Sequence, residues 1–200
     1  MHVADGFLST QAAAAGWMAA AIGVAIGAKT SLASEKAISR SAVLGSTFFL
    51  ASLVHIRFGG ASVHLSLAAP LGLVLGWGAF PAIMAALLLQ AVLFQFGGLL
   101  SLGVNTTDMA FPAVVMYALC SSRIKQGRLP MLTALFAGFT APLMSAAMAG
   151  LFLWLSNPNM AGTAALLVAL HLPVAVIESV VTLFMVSYLR RHSPDVLAGE

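Results

Sequence analysis

MLTALFAGFTAPLMSAAMAGLFLWL, residues 131–155, runs for 25 positions without a charged side chain. About 20 predominantly apolar residues suffice for a helix to cross the ~30 Å hydrocarbon core of a bilayer. Lipid offers no partner to backbone N–H and C=O groups, so such a segment satisfies them internally as a helix. Further apolar stretches lie at 10–28, 37–56, 64–78, 80–96, 106–122 and 163–189, which makes seven candidate helices. The pair at 64–78 and 80–96 is short, and Gly76-Trp77-Gly78 with Pro81 joins it through a tight connection. Composition agrees with an integral membrane protein: of 200 residues 60% are hydrophobic and 8% charged, against about 25% charged in a soluble domain. The mean hydropathy is +1.00. The single cysteine, Cys120, excludes a disulfide framework and a cysteine-built zinc or iron–sulfur site.

The net charge of +3 does not point to nucleic acid, because the cations sit in small clusters between apolar stretches. Lys29, Lys36 and Arg40 separate the first two stretches, Arg123, Lys125 and Arg128 the fifth and sixth, and Arg190 and Arg191 follow the seventh. With seven crossings all three clusters fall on one side, and only Arg57 lies opposite, so eight of nine cations agree. By the positive-inside rule that side is cytoplasmic. The expectation is an all-α multi-pass protein with its N-terminus outside and its C-terminus inside. Residues 1–192 then form a single transmembrane domain, and 193–200 a cytoplasmic tail. A secretory signal needs a basic start. Here the first charge is Asp5 and the first cation Lys29, so retention of the opening segment is expected.

In so apolar a chain each ionisable group at membrane depth costs about 2.5–3.5 kcal/mol on insertion scales and is a functional candidate. The candidates are His2, Asp5, His55, His64, Asp108, His171 and Glu178. Met1-His2 carries a chemistry of its own. A free α-amine, the amide nitrogen of residue 2 and the Nδ1 of His2 can close fused five- and six-membered chelate rings on one divalent ion. A further imidazole completes a planar nitrogen set of the kind that suits Ni²⁺ or Cu²⁺. Met-His by itself is equally the start of a frayed terminus.

The surrounding residues add a resemblance. Met1-His2-Val3-Ala4-Asp5-Gly6-Phe7-Leu8, Gly59-Gly60-Ala61-Ser62-Val63-His64-Leu65, Gly97-Gly98-Leu99 with Leu102-Gly103-Val104-Asn105, and His171-Leu172-Pro173 with Glu178 occur in this order. Together they resemble the CbiM/NikM family, the cobalt- and nickel-binding membrane components of energy-coupling-factor ABC transporters. Members typically begin Met-His-Ile-Pro-Asp-Gly, so Val3 and Ala4 depart from the usual pair. The resemblance implies a seven-helix subunit of a bacterial or archaeal plasma membrane whose residues 1–9 fold back into the bundle from outside. The Met1 amine, the His2 amide and imidazole, and the His64 imidazole would then hold Ni²⁺ or Co²⁺ as transported substrate. The implied partners are a transmembrane coupling subunit, two ATP-binding-cassette ATPases and, in some systems, a small accessory membrane subunit. No prosthetic group is implied.

Other polar residues stay open between two roles. His171 and Glu178 are two helical turns apart on one face; they gate or support a site, or they fix packing. Asn105-Thr106-Thr107-Asp108 reads as a helix start with Asn105 as cap, or as support for the metal ligands. Asp5-Gly6 suggests a turn that reverses the first residues into the bundle, with Asp5 placed to orient an imidazole. The stripes Ala19-Gly23-Gly27, Ala37-Ser41-Gly45 and Gly72/Gly76 suit close helix packing, inside the bundle or against a partner. No P-loop motif is present, so ATP hydrolysis is expected on partner chains and none on this one. The competing readings are a proton-coupled metal carrier and an intramembrane hydrolase. For the latter the His-Glu-x-x-His and Gly-x-Ser-x-Gly motifs are both missing.

Overall fold

Serine hydroxyls start the first two helices. Ser9 Oγ accepts the amide of Ala12 at 3.2 Å at the head of α1 (Thr10–Ser31), and Ser34 Oγ accepts that of Ala37 at 3.2 Å at the head of α2 (Glu35–Leu53). Each bond satisfies one of the amides a helix N-terminus leaves open. The computed structural model describes residues 2–58 and 61–198. After α2 comes an antiparallel hairpin, β1 (His55–Phe58) and β2 (Ala61–His64), with His55 opposite His64. Then follow α3 (Ala68–Leu75), a 3₁₀ turn at Gly76–Gly78, α4 (Ala79–Phe94), α5 (Leu102–Lys125), α6 (Pro130–Ser156), α7 (Ala161–His192) and a short α8 (Pro194–Ala198).

The first seven helices make the bundle, and the fold is all-α as the apolar stretches predict. Four stretches are long and apolar enough to cross a membrane by length and composition: Thr10–Ser31, Ala68–Phe94, Pro130–Ser156 and Pro158–His192. In α2, Glu35, Lys36 and Arg40 dilute the apolar character, and in α5 the run Asn105–Asp108 does so. Large apolar side chains such as Ile22, Val43, Leu50, Val92 and Phe184 point outward. Alanines and glycines fill the interior.

The third helix departs from expectation. His64 was expected to open a helix over 64–78, but it ends β2, and α3 covers only eight residues. At 1.5 Å per residue α3 rises about 12 Å, less than half the ~30 Å apolar core. The cause is pairing: Ala61–His64 lies antiparallel to His55–Phe58, and a short apolar run does not reveal its period from sequence. The fifth helix begins at Leu102, not near 106, so Asn105 is not its cap: the Asn105 amide already donates to Ser101 O at 2.9 Å.

The cation clusters do gather at one end. Asp195 on α8 meets Lys36 at 3.5 Å and Arg40 at 3.4 Å, and Arg190 donates to Ile124 O at 3.4 Å. Leu197 is buried there, so the segment after 192 packs back onto the bundle. The small-residue stripes of α1 and α3 face inward. Gly23 lies on the Phe80 ring, Gly27 on the Trp77 carbonyl and Gly72 on the Ala113 carbonyl.

The tightest seam joins α6 and α7. A Cβ on Gly138 would stand 2.6 Å from the Glu178 carbonyl oxygen and from Ser179 Cα, which are backbone atoms with nowhere to move. Gly138→Ala is expected to destabilise the protein by roughly 1–3 kcal/mol through overpacking, seen as a lower thermal midpoint in detergent. Gly162→Ala, with nothing within 4 Å of the new carbon, should be neutral or stabilising by up to about 1 kcal/mol.

Candidate metal centre

At the end of the bundle opposite the cations, the first residues enter the protein as extended chain. Val3 is fully buried and His2 nearly so. A buried extended segment has lost its water and has no helix to satisfy its amides. Asn105, one turn inside α5, supplies both missing partners: the Val3 amide donates to Asn105 Oδ1 at 2.8 Å, and Asn105 Nδ2 donates to Val3 O at 3.0 Å. Two residues further, the Asp5 amide donates to Gly97 O at 3.2 Å. The Asp5 carboxylate accepts the Ser101 amide at 2.8 Å and the Leu100 amide at 3.4 Å. It therefore caps α5 from 96 positions away in sequence, where the helix dipole favours negative charge. Among the described residues Asp5 bonds to backbone and not to an imidazole. Asp5 and Gly6 do occupy a turn, closed by Phe7 N donating to Ala4 O at 3.4 Å, with Gly6 at φ 92. A Cβ on Gly98, at φ 151, would collide with the Asp5 carboxyl.

The second approach is made by the hairpin. His64, at the end of β2, is 3% exposed, and its ring centroid lies 4.7 Å from that of His2. The ring is held by a 2.9 Å bond between Nδ1 and Leu65 O. A carbonyl only accepts, so Nδ1 carries the proton and Nε2 keeps its in-plane lone pair. Burial, with His2 alongside, pulls the His64 imidazole well below the usual histidine value, so it is neutral at pH 7. Below His64 the Ser66 amide and hydroxyl both donate to the Glu178 carboxylate, the hydroxyl at 3.0 Å. This double anchor holds the chain where it turns into α3 through Leu67, whose φ of 48° a leucine rarely adopts.

Of the remaining candidates, His55 stands opposite His64 in the hairpin. His171 is fully buried, its Nδ1 bonded at 2.7 Å to Leu167 O of its own helix and its Nε2 without a hydrogen bond among the described residues. Asp108 is equally buried, and neither carboxylate oxygen is hydrogen-bonded among the described residues. His55 stands edge-on to Phe96, centroids 4.3 Å apart. Met1 and Gly59-Gly60 lie outside the described residues. Among the described residues no group of three or more His, Cys, Asp and Glu side chains is arranged to hold a metal ion.

One residue at the site escapes a search for ionisable groups. Gln90 is the only polar side chain in α4 and is fully buried. Its Oε1 lies 2.8 Å from His2 Nε2, and its Nε2 donates to Phe49 O at 3.0 Å and Ser52 Oγ at 2.6 Å. The signal was an amide isolated in an apolar helix.

Comparison with known proteins converges on one assignment. The family described as "cobalt uptake substrate-specific transmembrane region" matches residues 2–196. A Haemophilus influenzae protein that carries the provisional name of a metal transport protein is 35% identical over 98% of this chain and 97% of its own length. The fused nickel transport protein NikMN of Rhodobacter capsulatus is 32% identical over 70% of this chain, which covers 46% of that longer protein. A crystal structure of a truncated transition metal transporter superposes with a TM-score of 0.84 at 26% identity, over 96% of this chain and 99% of the other. With two buried imidazoles side by side at one end of the helical bundle, a sequence match along nearly its whole length and that shared fold, the chain belongs to the CbiM family and is a transmembrane component of cobalt or nickel uptake.

Proposed function

We propose that the chain is the substrate-capture subunit of an energy-coupling-factor ABC importer. In this reading it binds Ni²⁺ or Co²⁺ through the Met1 amine, the His2 amide nitrogen and Nδ1, and His64 Nε2. The observation that carries the reading is the pairing of His2 and His64, buried side by side at 4.7 Å although 62 residues apart in sequence. A metal held there by two imidazoles must draw its other donors from elsewhere, since no cluster of side chains supplies them among the described residues. An N-terminal amine and a backbone amide supply two within the reach of fused chelate rings. Four nitrogens in a plane favour Ni²⁺ over Co²⁺ by geometry and by the Irving–Williams order. The relatives carry the names of both nickel and cobalt transport proteins.

In this reading residues 1–192 act as one transmembrane domain with the metal bound by 1–9 and His64. Asp5 and Asn105 hold the segment in place, and Glu178 fixes the chain that follows His64. The buried His171 and Asp108 serve gating or packing. ATP hydrolysis falls to two ATPase subunits, coupled through a membrane partner and, in some systems, a small accessory subunit. The alternative, a proton-coupled carrier, would relay protons through the buried His171 and Glu178. Metal uptake by cells with and without the ATPase partner separates the two, since only the importer stops when the ATPase is removed.

His64→Ala is expected to abolish high-affinity Ni²⁺ binding, measured by calorimetry on purified protein, while the thermal midpoint stays close to wild type. Retained affinity removes His64 from the ligands. His171→Ala should lower uptake less than His64→Ala does; an equal loss with binding intact would make it a gating residue. The strictest test is at the terminus. One residue added ahead of Met1, or an acyl group on its amine, leaves every side chain unchanged but breaks the five-membered ring. It should cost at least as much affinity as His2→Ala, whereas the same tag after Glu200 should have no effect. Equal binding by the two tagged forms refutes the chelate.

A further inference from the structure

We infer that Gln90 is a positioning residue that fixes the His2 ring in the tautomer needed to bind metal through Nδ1; the inference rests on the chelate reading above. The argument starts from the amide. Gln90 Nε2 lies 3.0 Å from the Phe49 carbonyl oxygen, which only accepts, so the nitrogen end of the amide must face Phe49. Ser52 Oγ, 2.6 Å from the same nitrogen, gives its own proton to Phe48 O at 2.6 Å and therefore accepts as well. Two acceptors on one side leave the Gln90 amide a single orientation, with Oε1 toward His2. At 2.8 Å that oxygen requires a donor, so His2 Nε2 holds the ring proton. A neutral imidazole carries one proton, which leaves the lone pair on Nδ1.

This matters because the two ring nitrogens of His2 are not equivalent for chelation. The six-membered ring closed with the residue's own amide nitrogen runs through Nδ1; Nε2 lies too far around the imidazole to close it. An exposed histidine interconverts between both tautomers. Gln90 removes that freedom before the metal arrives, and the second nitrogen's bond also sets the ring plane. The two side chains that orient the ring are fully buried: Gln90 on α4 and Ser52 on α2 are 0% exposed. Phe49 and Ser52 belong to the last turns of α2, so the bonds tie His2 to two helices at once. His64 is prepared by the opposite device. Its Nδ1 is tied to Leu65 O, so the ring proton sits there and Nε2 carries none. The two adjacent rings thus carry the unprotonated nitrogen at different positions, each set by the bond its other nitrogen makes.

The test separates the relay from the chelate. In metal-free protein carrying ¹⁵N-labelled histidine, in lipid, the His2 ring, assigned by its loss in His2→Ala, should show a protonated Nε2 and a bare Nδ1. Gln90→Leu should yield a mixture of tautomers and a Ni²⁺ affinity lower by 10- to 100-fold, the range typical when a ligand's outer hydrogen-bond partner is removed. Gln90→Glu keeps an acceptor and should restore both the Nε2–H signal and the absorption spectrum of the planar Ni²⁺ complex. A protonated Nδ1 in the wild-type, metal-free protein overturns the inference, whatever the metal ligands prove to be. So does a Gln90→Leu protein with wild-type tautomer and affinity. If Gln90→Leu does not fold, the wild-type tautomer alone decides.

Discussion

Backbone that is neither helix nor sheet has been brought inside an apolar bundle, and every polar group on it must find a partner there. An unsatisfied amide or carbonyl away from water costs several kcal/mol. Among the described residues two such segments occur, the N-terminal residues and the stretch from Leu65 to Leu67. Each is met by a polar side chain from a helix that is otherwise apolar or buried at that level: Asn105 for Val3 and Glu178 for Ser66. Asp5 works in the other direction and closes the open amides of α5. These residues look misplaced in a membrane protein until the chain they satisfy is taken into account.

Helix packing provides the room. α3 spans only eight residues because the outer part of its column is taken up by the descending chain. The remaining helices lie close together, which alanines and glycines permit, as where Gly138 meets the backbone of α7 and Gly72 that of α5. Association in lipid depends on such van der Waals contact more than on the hydrophobic effect. A rigid surround matters because a metal site tolerates little displacement of its ligands. The histidines themselves are short side chains on non-helical backbone, so their positions are only as exact as the hydrogen bonds that hold that backbone.

The distribution of charge matches this arrangement. The cationic end holds its lysines and arginines at the surface, partly tied through Asp195 and the short α8. At the other end the buried polar groups are histidine, amide, hydroxyl and carboxylate, all able to meet a cation or a backbone amide. One end faces the anionic inner leaflet by the positive-inside rule; in the proposed reading the other receives the divalent cation.

Much of this was legible in the amino-acid order. Apolar stretches of 15–27 residues and three cation clusters determine the all-α bundle and which ends lie together, because bilayer thickness and the cost of charge in lipid act on any sequence. The rarity of ionisable groups also marked His2, His64 and Glu178 out from their neighbours. What sequence could not decide was pairing across distance. From sequence His64 opened the helical stretch 64–78, and only the register with His55–Phe58 makes residues 61–64 a strand. Asn105 and Asp5 carry local signals for a cap and a turn. Asp5 does occupy a turn and also caps α5 across 96 positions, while Asn105 serves the backbone of Val3, 102 positions away. Gln90, uncharged, gave no electrostatic signal at all. A hydrogen bond between remote residues depends on which helix faces which, and that is settled only when the whole bundle packs.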